Sequence, residues 1–217
     1  DGNISGVTVT ANDVRRAFEL YGKPAAGVRG RRTAHRATTQ KVDQDLKSQY
    51  GEQQVMTGDV AYFNEKPYLM CVTDPLGLIT VTSVASTRTA ALGSALHTHI
   101  ATVQSRGFRP TLVHLDPQPG FTALDPHIPG VEVDISGAGD HMKRLDVEIR
   151  HTKEVFRSVL NSLPWQQPQW LDKDLVNYCV SRRNLSVTSH SRVSPRVKFT
   201  GRKPDCKKEL GIGYGDY

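Results

Sequence analysis

Between Val55 and Val84 the chain alternates short apolar, β-branched runs with turn residues. Met56–Phe63, Tyr68–Thr73 and Leu78–Val84 are filled by Val, Tyr, Phe, Leu, Ile and Thr, the residues that suit a pleated, half-buried surface. Asn64–Pro67 and Asp74–Gly77 supply turn chemistry between them, so the stretch predicts an antiparallel meander of three strands. Asp59 breaks the pattern: a carboxylate inside a strand is costly unless it is paired, metal-bound or turned to solvent.

The helical period takes over on either side. Val14, Ala17, Phe18 and Tyr21 form an apolar stripe after the candidate caps Thr10 and Asn12, and Gly22 stops that helix. A basic, Gly-containing linker follows Pro24, and Thr39–Tyr50 reads as a weak polar helix. Beyond the meander, Ala90, Leu92, Ala95, Leu96, Ile100 and Val103 predict a helix over Thr87–Arg106, ended by Gly107. Pro110–Leu115 is a short buried strand with Asp116 just past its end and the turn PQPG after it. Gly130–Ile135 is a further strand, and SGAGD at 136–140 is a connection. Leu145, Ile149, Phe156, Leu160 and Leu163 mark a long helix from Met142 to Leu163, broken by Pro164. Asp172–Arg183 is another helix, and no internal repeat is evident.

A meander followed by βαβ units predicts an α/β fold: a mixed five-stranded sheet, antiparallel meander plus parallel strands, flanked by helices. That is an RNase H-like layout. Its expected organisation is a lead-in and basic linker over 1–54, a core over 55–183 and a basic C-terminal segment over 184–217.

Composition refines the picture. At 217 residues the chain can bury one full core, and no apolar run approaches the roughly 20 residues that span a bilayer, so no membrane partner is expected. A net charge of +6 points to a polyanion, and its distribution is more telling than its size. Basic residues crowd into Arg29–Arg36, with Arg31 and Arg32, and into Arg182–Lys208, with Arg182, Arg183 and Lys198. Cys71, Cys179 and Cys206 are far apart and form no zinc spacing, which suits a reducing, intracellular setting. The opening DGNISG carries no initiator Met or signal pattern, as expected of a piece of a longer polyprotein.

Acidic residues supply the candidate chemistry. With the first and fourth strands side by side, Asp59 and Asp116 converge at a strand tip, where α/β sheets bind ligands. The long helix offers a third acid, Asp146 or Glu148. Three carboxylates from separate elements suit a pair of divalent cations acting on a phosphodiester, and hard oxygen ligands favour Mg²⁺, with Mn²⁺ as its substitute. Asp146 and Glu148 lie roughly 200° apart around the helix, so they cannot serve one site together. Asp146 shares its face with Arg150, Lys153 and Arg157, a basic row suited to DNA, and is preferred; Glu148 is the alternative. Asp125, Asp134 and Asp140 read as turn or capping residues, and His97 and His99 point to different faces of their helix.

The order of these motifs resembles the integrases of Ty1/copia-type LTR retrotransposons. TGDVAYFNEKPYLMCVTDPL resembles the segment around the first aspartate of the D,D,E core, and TLVHLDPQPGF the segment around the second. LDVEIRHTKEVFRSVLNSLPW resembles the helix carrying the third acid, whose register falls on Asp146 with Arg150, Lys153 and Glu154 downstream. SPRVKFTGRKPDCKKELGIGYGDY is similar to the closing segment of that region, and DVRRAFELYGKPAAGVRGRRT to its lead-in. The third acid is Asp where the family has Glu. The resemblance implies a polynucleotidyl transferase that trims retroelement DNA 3′ ends and joins them to target DNA, with Asp59, Asp116 and Asp146 on Mg²⁺. It further implies assembly with other integrase subunits, a cytoplasmic particle before integration and a nuclear location during it. Two other readings stand beside it: a decayed copy that only binds nucleic acid or serves as a structural module, and an RNase H or resolvase-like nuclease.

Overall fold

The computed structural model describes residues 9–22, 24, 53–124, 128–135, 140–187, 191–201, 204–205 and 213–215. The chain begins with α1 (Ala11–Tyr21), where Thr10 and Asp13 form a reciprocal capping box. Its apolar stripe, including Phe18 and Tyr21, is exposed. The expected helix at Thr39–Tyr50 and the basic run Arg29–Arg36 lie outside the described residues.

The meander forms as β1 (Gln53–Phe63), β2 (Lys66–Asp74) and β3 (Leu78–Ser83). Asn64 and Glu65 make the first turn with φ of 46° and 65°, the left-handed pair that matches the twist of a two-residue hairpin. Then come α2 (Thr89–Gln104), β4 (Arg109–Leu115), the short α3 (Pro119–Thr122), β5 (Glu132–Asp134), α4 (Asp140–Ser162), α5 (Asp172–Leu185) and α6 (Pro195–Thr200). The sheet order is β3-β2-β1-β4-β5, with β1–β2 and β2–β3 antiparallel and β1–β4 and β4–β5 parallel. This is the mixed, helix-flanked RNase H-like sheet that the sequence predicts.

Alternation along β1 divides the core between two faces. Met56 and Val60 pack with Leu69, Cys71, Val113 and Leu115 against Leu92, Leu96, Ile100 and Val103 of α2. Ala61 and Phe63 face the other way with Tyr68, Met70 and Val72, under Leu145, Ile149 and Phe156 of α4 and Leu175, Val176 and Cys179 of α5. Asp59 shares parity with Ala61 and Phe63, which puts it on the α4 side. Pro164 follows the end of α4, as its missing donor requires. Among the described residues no helix is long and apolar enough to cross a membrane.

Asp134 departs from its expected role, while His97 and His99 point to different faces of their helix, as expected. Asp134 neither caps nor turns: it sits in β5 opposite His114 of β4, and its Oδ2 lies 2.9 Å from His114 Nδ1. His99 is buried with Nδ1 2.5 Å from Thr80 Oγ1, and burial pulls its pKa down to about 4, while His97 is exposed. Past residue 183, Asn184 and α6 pack against β3 and α5. Asn184 closes the outer edge of β3, accepting from Ile79 N–H at 2.9 Å and donating to Ile79 C=O at 2.7 Å. Asp125 lies outside the described residues, and Asp140 is the first residue of α4.

Candidate active site

The site is built where β1 and β4 end their ladder. Their last pair is Gly58 with Leu115, so the next residue of each chain segment is an aspartate, Asp59 and Asp116. Gly58 permits this close approach: a Cβ there would stand 3.0 Å from both Cys71 Sγ and Leu115 Cδ2. Both aspartates alternate away from Val113, Leu115 and Val60, toward α4.

The chain leaving Asp116 is held tightly. Gln118 N–H donates to the Asp116 carbonyl at 2.7 Å, and the Gln118 carbonyl accepts from Phe121 and Thr122 N–H at 2.9 and 3.0 Å, which starts α3. Phe121 is fully buried and Gly120 packs against the Thr87 carbonyl, so the turn is anchored in the α2 side of the core. Its fixed backbone aims the Gln118 side chain at Asp59: Nε2 donates to Oδ1 at 2.6 Å. The same oxygen accepts from Val60 N–H at 2.6 Å.

From the other side comes α4. Its buried residues Leu145, Ile149 and Phe156 seat it on the sheet and leave Asp146 exposed at the site's mouth. Lys153, two turns on, is half-buried on that same side. The electrostatics of Asp59 register this convergence. Burial is the largest influence and raises its pKa; the Val60 N–H opposes it, the charges of Asp116 and Asp146 raise it further, and Lys153 lowers it.

Glu148 is not brought to this group. It is buried on the far side of α4, where Arg183 of α5 holds it with two hydrogen bonds, Nε to Oε2 at 2.6 Å and a terminal nitrogen to Oε1 at 2.9 Å. Arg144 pairs with Asp74 and adds a positive charge beside Glu148. Of the basic residues singled out in the sequence, Arg150 is exposed and Arg157 half-buried on α4. The Arg182 guanidinium lies over the Tyr178 ring at 4.8 Å. The pKa of Lys198 is lowered by burial and by Arg144, and Arg31 and Arg32 lie outside the described residues.

The donor set fits a hard divalent cation in kind. Carboxylate oxygens are the donors such a cation takes, and the charges of Asp116 at the end of β4 and Asp146 on α4 add to burial in raising the Asp59 pKa. Among the described residues, however, no three His, Cys, Asp or Glu side chains are placed so that they could hold a metal ion. Asp59 is joined instead to Gln118, a residue that sequence reading passed over as part of a Pro/Gly-rich turn.

The fold is similar to that of the catalytic core domain of BIV integrase, with a TM-score of 0.53, 12% sequence identity and coverage of 68% of this chain and 93% of that one. The HTLV-2 integrase catalytic core domain, solved in complex with magnesium in a trimeric form, aligns with a TM-score of 0.49, 16% identity and coverage of 67% and 95%. No protein-family model and no curated protein matches the sequence. At these identities the likeness is one of fold: the mixed five-stranded sheet flanked by helices has the RNase H-like architecture of an integrase catalytic core.

Proposed function

We propose that this domain is a polynucleotidyl transferase, the integrase core of a Ty1/copia-like retroelement, which processes DNA 3′ ends and transfers them into target DNA. What supports this reading is that Asp59 and Asp116 follow the last pair of two adjacent parallel strands, Gly58 with Leu115, and that Asp59 feels the charges of Asp116, Asp146 and Lys153. Asp59, Asp116 and Asp146 would hold Mg²⁺ or Mn²⁺. When bound, such cations activate the attacking oxygen and neutralise the leaving oxygen of an in-line displacement at phosphorus.

The chain's own residues perform the rest. Asp59 and Asp116 are fixed by the sheet and by the Phe121 anchor, so their oxygens are pre-positioned. Lys153 places an ammonium within the field of the carboxylates, where it can balance a phosphate brought to the same place. Arg150 and Arg157 extend that positive row along α4, a track for the phosphates of a DNA end. The partners are retroelement DNA ends, target DNA and further integrase subunits, with assembly in a cytoplasmic particle and action in the nucleus.

Blunt-ended oligonucleotides incubated with the protein and Mg²⁺ test the reading. Trimmed 3′ ends and joined products are expected. A folded protein that binds DNA but yields neither product favours the silent, nucleic-acid-binding reading, and cleavage of RNA–DNA hybrids alone favours the nuclease.

A further inference from the structure

We propose that the open part of the β3 edge is a docking site for an extended acidic peptide, which adds to the sheet as a sixth strand. The site lies two strands away from β1 and stands independently of the reading of the carboxylates.

β3 is an outer strand of the sheet. In an antiparallel pair, alternate residues turn their N–H and C=O toward the neighbour, and the residues between turn theirs away. Val84, just past β3, donates its N–H to the Pro67 carbonyl at 3.1 Å. Thr80 and Thr82 therefore face β2 as well, and Ile79, Val81 and Ser83 face outward. Asn184 closes this edge at Ile79 only, where its side-chain amide takes both outward groups. Among the described residues no group bonds the outward N–H and C=O of Val81, two residues on. A strand edge left in that state is a template for another strand.

The surroundings suit one added strand. The edge opens into a cleft of about 330 Å³ lined by α2, α5 and α6. A second copy would bring its own α2, α5 and α6 around its β3, too bulky for this space, whereas a single extended chain fits. On the α2 wall the hydroxyls of Thr98 and Thr102 already donate to the Ser94 and Thr98 carbonyls, at 3.0 and 2.7 Å. Main-chain pairing with an entering strand therefore centres on Val81. Charge selects the peptide. The described residues that line the cleft include Arg196 and no Asp, Glu or Lys, and burial keeps His99 neutral at pH 7. Phe199 stacks on Phe108 at 6.1 Å and helps to hold α6, with Arg196 about one turn before it. A carboxylate on the entering strand meets a cation there and no like charge.

The probe is a fluorescently labelled Val-Thr-Val-Glu-Val-Thr-Val peptide, titrated with the full chain and followed by anisotropy. Saturable binding is expected. A strand turns only alternate N–H groups to its neighbour, so N-methylation of one alternate set of peptide amides should weaken binding about tenfold or more, and methylation of the other set by less than about twofold. Replacing the peptide's Glu by Gln should weaken it about threefold, the weight of an exposed ion pair. Val81→Pro removes the outward N–H and no bond to β2, as an edge position tolerates, and should lose about tenfold with its far-UV circular dichroism unchanged. The methylated peptides test the same pairing with the protein unaltered. Binding indifferent to which set is methylated would overturn strand addition, and equal or tighter binding of the Gln peptide would overturn the acidic partner. No binding of any peptide, or a dimer of the full chain that Val81→Pro dissociates, would overturn the proposal as a whole.

Discussion

Removing Arg183 tests how much the ion pair between α4 and α5 adds to the apolar seating of the helix that carries Asp146. The Glu148 side chain is 9% exposed and that of Arg183 21% exposed, and two hydrogen bonds of 2.6 and 2.9 Å join them. Arg183→Met leaves the Glu148 carboxylate buried without its bidentate partner, a change that costs about 3–5 kcal/mol in such pairs. Arg144 supplies a second positive charge near Glu148, which brings the expected loss to the low end, about 3 kcal/mol. For a chain of this length that corresponds to a fall in Tm of roughly 6–12 °C. Glu148→Gln keeps the volume and one acceptor and should cost less. The assay is urea unfolding of both single variants and of the double variant in a thermodynamic cycle. The pair's coupling should appear as a double-variant loss smaller than the sum by about 2 kcal/mol. Additive losses, or an Arg183→Met protein that melts with the unaltered one, would refute the view that this pair ties α4 to α5.

Three further outcomes follow from the same geometry. Asp59 binds its proton more tightly in the folded than in the unfolded chain, because of burial and the two neighbouring aspartates, so stability falls as pH rises from its usual value of 3.8 through its raised folded pKa. Asp59→Asn should therefore raise the urea midpoint at pH 7 and lose that advantage below pH 3.8; an unchanged or lower midpoint at pH 7 contradicts the desolvation argument. Gly120→Ala would put a Cβ onto the Thr87 carbonyl and against Leu92, which should cost about 3 kcal/mol or more in thermal unfolding and displace Gln118; a variant as stable as the parent would mean that α3 is not anchored as described. DNA affinity, measured by fluorescence anisotropy, should fall steeply with salt, and Lys153→Ala should shallow the log–log slope by about 1; a slope near zero would exclude phosphate contacts as the source of binding.

How far the sequence revealed these features depends on the distance over which each is determined. The meander was legible because its turns are local: Asn64–Glu65 and Asp74–Gly77 punctuate runs whose alternation sets the two faces. The adjacency of β1 and β4 is an arrangement that a meander followed by a crossover helix allows, and their register sets Asp59 and Asp116 just beyond the last pair. Relations set by tertiary packing were hidden. Glu148 and Arg183 are 35 residues apart and meet only because α4 and α5 share one side of the sheet. Gln118 and Asp59 are 59 residues apart and are linked through a side chain in a turn that composition marks only as a break. His114 and Asp134 meet through the β4–β5 register, which no local pattern specifies.

The central claim is that Asp59, Asp116 and Asp146, and not Glu148, carry phosphodiester chemistry, and strand transfer by single-carboxylate variants tests it most directly. Each of Asp59→Asn, Asp116→Asn, Asp146→Asn and Glu148→Gln is assayed with Mg²⁺ and labelled DNA ends, at a temperature where circular dichroism shows every variant folded. The account predicts no joined product from the three aspartate variants, with DNA binding retained, and product from Glu148→Gln within a few-fold of the parent. Product retained by Asp146→Asn but lost in Glu148→Gln would contradict it.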